Sequence, residues 1–203
     1  VKSMDRASRV AFDRGGRGAR DRIVASARVL FYRDGIHATG VDQLAEHAHV
    51  SKRTLYKHFS SKEDIVAAYL RDADANRAVP RERALDKPGL APRDRLLAVF
   101  ERGKEKLVRG CPYHNAAVEA AGKLPEVHGI VRAHKDAFIA RLIDTCAEVG
   151  VNDASLLGNQ LAVLFEGAVA LATTLNDTAP MVYAQSAAAI LIDEAARGPE
   201  DRH

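Results

Sequence analysis

The sequence predicts an all-α chain, with a small N-terminal three-helix unit followed by a larger helical domain. Three observations carry this. No run alternates apolar and polar residues with period two, so no sheet is expected. Alanine and leucine outnumber the β-branched residues and aromatics are few, a balance that favours helix. Between breaks at glycine and proline, apolar residues recur at steps of three and four.

The 203 residues suffice for one large core, or for a small domain joined to a larger one, without a metal or disulfide staple. Residues 1–18, "VKSMDRASRVAFDRGGRG", lack a sustained period and read as a flexible arm, either a solvated tail or a carrier of arginines to an anionic partner. From Ala19 to Asp34 the positions Ile23, Ala27, Leu30 and Phe31 form one helical stripe, closed by Gly35. Val41, Leu44, Ala45 and Ala48 mark a second short helix, and Leu55 with Phe59 marks a third. "HAHVS" between these two has room only for a turn, and Ser51 is placed to cap the third. A fourth helix starts at "SSKEDI", where Ser61 and Asp64 have capping-box spacing, and it runs through Ile65, Ala68 and Tyr69 towards Pro80.

"PRERALDKPGLAP" holds three prolines and reads as a linker or loop. Arg93 to Arg109 carries the stripe Leu96, Phe100, Gly103 and Leu107, and Pro112 suits the start of the next helix. Pro125 opens a long helix with Val127, Val131, His134, Phe138, Leu142 and Val149 on one side, stopped by Gly150. Asp153 to Leu175 is apolar nearly all round and must be covered on two sides. The last helix, Met181 to Ala196, is rich in alanine, which lets another helix come close.

Charge is distributed unevenly. Residues 1–71 hold 14 Lys and Arg against 8 Asp and Glu, whereas the remainder holds 16 against 19. The first third therefore suits an anionic partner. Cys111 and Cys146 are far apart and form no CxxC, which fits a reducing cytoplasm. No signal peptide is expected, because no apolar run follows the N-terminal arginines. "LAVLFEGAVALATTL" is short for a membrane span and carries Glu166 near its middle.

A turn-separated pair of short helices, flanked by two longer ones, is a helix-turn-helix arrangement. Leu55 and Phe59 are spaced to point back at Ile23, Leu30, Phe31, Val41 and Leu44. That leaves Lys52, Arg53, Thr54, Tyr56, Lys57 and His58 at the helix start and on its outer side, where base edges and phosphates are reached. Arg53 is the best candidate base reader, since a guanidinium pairs bidentately with guanine.

The stretch "VLFYRDGIHATGVDQLAEHAHVSKRTLYKHFSSKEDIV", Val29 to Val66, carries a resemblance that reaches from Arg20 to about Leu70 and centres on "TLYKHFSSKE". It resembles the DNA-binding domain of the TetR family of bacterial transcriptional regulators. The resemblance implies a hydroxyl contact to phosphate from Thr39 and a recognition helix beginning at Lys52, Arg53 and Thr54. It also implies DNA contacts from Tyr56 and His58, and a phosphate contact from Lys62. His49 departs from the pattern, standing where the family usually has glycine in the turn.

On this reading residues 19–70 are the DNA-binding domain, and residues 71–203 are a ligand-binding and dimerisation domain. Independently of the family, the apolar helix ending at Leu175 and the alanine-rich helix after it suit a four-helix contact between two copies, or burial within one subunit. Phe100, Gly103, Tyr113, His114, Asn115, His134, Phe138, Phe165 and Glu166 are candidates to line a small-molecule pocket, each with packing as the alternative. The implied partners are a palindromic double-stranded DNA operator, a second copy of the chain and a small-molecule effector. Repression relieved by ligand is the leading expectation, and activation or ligand-independent binding the alternative. Cys111 at a helix start has a cap or packing role as its leading reading and a reactive thiol as the alternative. His114, Glu119, His128 and His134 have no compact metal-site spacing, so neither metal nor cofactor is expected. No nucleophile, base and orienting group can be placed as a set, so an enzyme is not expected, and the large domain as an enzyme remains the remote alternative.

Overall fold

Nine α-helices are found among the described residues of the computed structural model, which are 18–75, 79, 81–102, 109–119 and 124–197. No strand occurs among them. The chain divides into two compact units, Val1–Ile65 and Val66–His203. All but Gly18 of the N-terminal arm lies outside the described residues, as do Gly103 and Leu107.

The first unit contains α1 (Ala19–Asp34), α2 (Val41–His47) and α3 (Lys52–His58), and α4 (Lys62–Ala75) begins in it and continues into the second. Its core is the expected stripe: Ile23, Ala27, Leu30 and Phe31 of α1 are buried with Leu44, Ala45, Leu55 and Phe59. α1 stops at Gly35, which adopts φ 95 and donates its N–H to Phe31 O at 3.0 Å. The α2 to α3 turn is a Schellman cap. Val50 N–H reaches Ala45 O and His49 N–H reaches Glu46 O, both at 3.0 Å, with His49 left-handed at φ 52. Histidine therefore adopts the conformation that glycine would enter without steric cost.

Ser51 caps α3, accepting from Thr54 N–H at 3.0 Å. The capping box of α4 closes in both directions: Asp64 N–H donates to Ser61 Oγ and Ser61 N–H donates to Asp64 Oδ2, each at 3.1 Å. Aspartate, one methylene shorter than the usual glutamate, still reaches. It also accepts from Ser60 N–H at 3.0 Å.

The second unit packs α5 (Pro92–Ala98), α6 (Pro112–Glu119) and α8 (Ala154–Leu175) around α7 (Pro125–Val149), with α9 (Ala179–Ala196) against α8 and α5. α7 buries Val127, Val131, Phe138, Leu142 and Cys146, the face that its spacing predicts. α7 and α8 approach closely at Gly158, where a Cβ would lie 2.5 Å from Ile143 Cγ1 and 2.9 Å from the Ile143 backbone. Only glycine permits that crossing. Among the described residues α8 alone is long and apolar enough to cross a membrane. One side of it is buried, through Leu157, Leu161, Phe165 and Ala172, and it packs on α7 and α9.

Two expectations are corrected. The helix expected over Arg93–Arg109 ends at Ala98. Phe100 and Glu101 donate their N–H groups only three residues back, to Leu97 and Ala98, tightening the turn as Phe100 docks edge-on against Phe165 at 5.9 Å. The supposed linker contains a 3-10 helix, Glu82–Asp86, with Glu82 and Leu85 buried. Arginines from distant helices hold its carbonyls: Arg141 Nη2 donates to Glu82 O at 2.7 Å and Arg95 Nη1 to Leu85 O at 3.0 Å. These partners lie 59 and 10 residues away, beyond the reach of local propensity.

Candidate nucleic-acid interface and helical-domain cleft

Recognition requires a short helix that is held from behind and left free in front. Leu55 and Phe59, one turn apart, are both buried and fix the back of α3. Side chains of α1 strengthen that hold: the Arg20 guanidinium lies 5.3 Å from the Phe59 ring centroid, and Arg22 Nε donates to Ala48 O at 3.1 Å beside the turn. Ser26 Oγ and His47 Nδ1 meet at 2.9 Å. Neither Arg20, Arg22 nor Ser26 stands out from sequence, since each serves a partner more than twenty residues away.

In front, Arg53, Tyr56, Lys57 and His58 are exposed, with Tyr56 at 46%. The Arg53 side chain forms no hydrogen bond or ion pair with another described residue. Lys52 is exposed too, but Asp42 of α2 holds it at 2.9 Å and raises its pKa through that hydrogen bond and charge. Thr54 Oγ1 shares a hydrogen bond with the Ser51 cap at 2.8 Å. Lys62, at the start of α4, donates to His37 O at 3.5 Å. Thr39 departs from expectation: it is fully buried and donates its hydroxyl to Gly35 O at 2.7 Å, so it shapes the loop before α2 and offers no hydroxyl at the surface.

The residues expected to share one pocket separate into four groups. Phe100, Phe138 and Phe165 pack on one another, with Phe138 and Phe165 centroids 5.2 Å apart. Tyr113 stacks on His134 at 3.5 Å and 7° and donates its hydroxyl to Leu70 O at 3.2 Å. Glu166 accepts from Lys135 Nζ at 2.5 Å, and Lys135 also lies 3.5 Å from Cys111 Sγ. His114 is exposed, and Asn115 Nδ2 donates to Arg109 O at 2.8 Å. Burial pushes the Cys111 thiol up in spite of Lys135, opposite to what a reactive thiolate needs.

His134 and Phe138 alone of these residues line a cleft of about 160 Å³. The other walls come from Ala73, Asp74, Val79, Glu82, Arg83, Ala137 and Arg141, none of which the sequence singles out. Asp74 Oδ1 faces His134 Nδ1 at 2.9 Å and Glu82 Oε1 faces His134 Nε2 at 3.1 Å. A neutral imidazole has one N–H, so both contacts are satisfied together only by the imidazolium. Burial pulls the His134 pKa down, but the hydrogen bond and charge of Glu82, aided by Asp74, outweigh it and raise the pKa above its ordinary value.

Comparison with known proteins agrees with this architecture. Residues 23–69 match the family model described as bacterial regulatory proteins, tetR family. The transcriptional activator FasR of Mycolicibacterium smegmatis is 43% identical over 61 residues, and the regulator TcmR of Streptomyces glaucescens is 41% identical over 49. These matches span 28% and 24% of this chain, and only 28% of FasR and 22% of TcmR. Solved structures extend the likeness to both units. A tetR-type transcriptional regulator from Streptomyces avermitilis is 30% identical over 90% of this chain and 100% of its own, with a TM-score of 0.76. SCO4454 from Streptomyces coelicolor is 30% identical over 88% of this chain and 90% of its own, also at 0.76. Because the anchored helix-turn-helix and the helical domain behind it both match, the chain belongs to the TetR family of DNA-binding transcriptional regulators.

Proposed function

We propose that this regulator is a cytoplasmic homodimeric repressor that binds a palindromic operator and leaves it when a small molecule enters the large unit. The observation that carries the reading is α3, fixed through Leu55 and Phe59 while Arg53, Tyr56, Lys57 and His58 stay exposed. Arg53 reads bases; Tyr56, Lys57, His58 and Lys62 bind mainly phosphate, and Lys52 joins them after exchanging Asp42 for a phosphate.

Dimerisation is supported by apolar residues left outside on α8 and α9. Val163 is 75% exposed and Tyr183 is 73% exposed, with Leu156, Leu171, Leu175 and Ile190 also outside. Two such helices from each copy make a four-helix contact about a twofold axis. Ligand release is supported by the cleft around His134 and Phe138. DNA binding without an effector is favoured by a different observation, the mutual packing of Phe100, Phe138 and Phe165. FasR is named an activator, so the sign of regulation needs its own test with a reporter gene. The regulators among the relatives, together with the raised Cys111 thiol, give no support to an enzymatic reading.

Selection of binding sites from random DNA, followed by fluorescence anisotropy on the chosen site, tests the reading. A palindromic preference is expected, with affinity falling by ~10³–10⁵ between low and moderate salt if six to ten phosphates are contacted. Binding with neither sequence preference nor salt slope would overturn it. A compound screen for release of the chosen site then separates the ligand-responsive form from the ligand-independent one.

A further inference from the structure

The C-terminal half of α4 is tied to the helices behind it by polar contacts, and two of them pass through one ring. Asp74 Oδ1 faces His134 Nδ1 of α7 at 2.9 Å. Tyr113 of α6, stacked on His134 at 3.5 Å, donates its hydroxyl to Leu70 O at 3.2 Å. The other ring nitrogen, Nε2, faces Glu82 Oε1 of the 3-10 helix at 3.1 Å. Four elements thus meet at a side chain that is 9% exposed. Arg71 adds a tie to Glu126, at the start of α7, that does not involve the ring. α4 is one continuous helix from Lys62, soon after α3 ends, to this cluster.

The protonation of the imidazole decides what these contacts can be. With two N–H groups it donates to both carboxylates; neutral, it has one N–H and one lone pair. The Glu82 side chain is 6% exposed and that of Asp74 62%, so water replaces a lost donor far more readily at Asp74. The neutral ring therefore keeps its proton on Nε2, towards Glu82, and turns a lone pair on Asp74. We propose that His134 is a proton-operated latch for α4: protonated, it clasps Asp74 and holds the last turn of α4 on α7; deprotonated, it lets Asp74 go and weakens operator binding. The effect on DNA rests on the reading that two copies grip a palindrome. Heads carried on a loosened α4 spend less time at the separation the half-sites require, and apparent affinity falls with that fraction.

The charged and titratable groups facing His134, among the described residues, set the direction. α4 offers Asp74, the 3-10 helix offers Glu82 with Arg83 along the cleft, α6 offers Tyr113, and α7 offers the neighbouring Lys135 and Arg141. Lys135 is matched by Glu166 and Arg141 by Asp86. Tyr113 stays neutral, because burial raises its phenol further. Burial works against the proton on His134, as does Lys135; the hydrogen bond and charge of Glu82, with the hydrogen bond of Asp74, outweigh them. The latch is therefore closed at the ordinary histidine value of about 6.5 and opens at higher pH.

Hydrogen exchange and operator binding of the full chain between pH 6 and 9, beside Asp74→Asn, test the proposal. Asparagine at this exposed position accepts from the imidazolium through its oxygen and donates to the neutral ring through its amide, so its tie does not depend on the proton. In the native chain, protection factors of the amides at 72–75, relative to those of α9, should fall about tenfold across the His134 titration, the size of one charged hydrogen bond. In Asp74→Asn they should stay level. Long-range nitrogen-15 spectra should show the His134 imidazolium giving way to the Nε2–H tautomer. Operator affinity should fall severalfold more in the native chain than in Asp74→Asn over the same range; the shared helix-turn-helix cancels the titration of its own histidines. An Nδ1–H tautomer, protection that does not change across the titration, or the same change in Asp74→Asn overturns the latch. The expected protection change with a constant ratio of affinities overturns its link to operator binding. If no operator is selected from random DNA, the palindrome reading falls, and the spectra and protection factors still decide the latch.

Discussion

The two units place their charges in opposite ways. In the helix-turn-helix the cations Arg53 and Lys57 lie outside a core built from Ile23, Leu30, Leu44, Leu55 and Phe59. In the helical unit the polar groups turn inward: His134 is clamped by Asp74 and Glu82, and Lys135 by Glu166. An exposed cation costs little and stays available to a partner, whereas an inward charge survives only if another element supplies its counterpart. The first unit therefore presents its charges at the surface, and the second pairs its charges among its own helices.

The sharpest way to break this comparison is to open a cavity in each core. Leu55→Ala should cost about 2–5 kcal/mol and Phe165→Ala about 3–5 kcal/mol. Thermal melts followed by circular dichroism should show the first variant losing operator binding together with the first unit, and the second lowering the main transition while DNA binding persists below it. Equal loss of operator binding in both would mean that the units do not divide the labour. Next in size, Arg53→Ala should remove about 1–3 kcal/mol of discrimination at one base pair of each half-site, whereas Lys57→Ala should weaken all sequences alike and lower the salt slope by about one. Competition anisotropy with single-base operator variants distinguishes the two.

A smaller effect separates the buried charges from the exposed ones. Because the folded His134 pKa is raised, its stabilising contribution is fully present below the unfolded value of about 6.5 and is lost as pH rises through the folded one. Urea titrations of the native chain and His134→Ala between pH 5.5 and 8.5 should show a stability gap that narrows with rising pH; a gap that widens would reverse the assignment. Smallest of all, His49→Gly should stabilise the helix-turn-helix by about 1 kcal/mol or less by relieving the left-handed Cβ, read as a shift in melting temperature.

What the sequence made legible follows the same division. Ser51, the Ser61 and Asp64 box and Gly35 act on neighbours within four residues, and Leu55 and Phe59 lie one turn apart on one face, so spacing alone reveals them. Thr39 misled because a hydroxyl before a helix looks the same whether it faces solvent or, as here, the Gly35 carbonyl. The cleft was hidden because Asp74 and Glu82 meet His134 from 60 and 52 residues away, and because the prolines around Glu82 suggested a loop where arginines from α5 and α7 hold a 3-10 helix. Phe100, Phe138 and Phe165 were rightly apolar and inward, but periodicity cannot tell a wall of a cavity from a filled core.

The missing side chain at Gly158 has a consequence for assembly. Adding a single methyl there would force α8 away from Ile143 by about 1 Å near its N-terminal end, and since 22 residues of helix span about 33 Å, the displacement amounts to a tilt of about 2°. The outward stripe of Val163, Leu171 and Leu175 is carried on that helix, so it would swing by the same angle. In a twofold pair each copy contributes its own swing, and the error between partners doubles. In the proposed dimer, the angle at which two copies meet would thus be set by the side chain that Gly158 lacks, near the N-terminal end of α8.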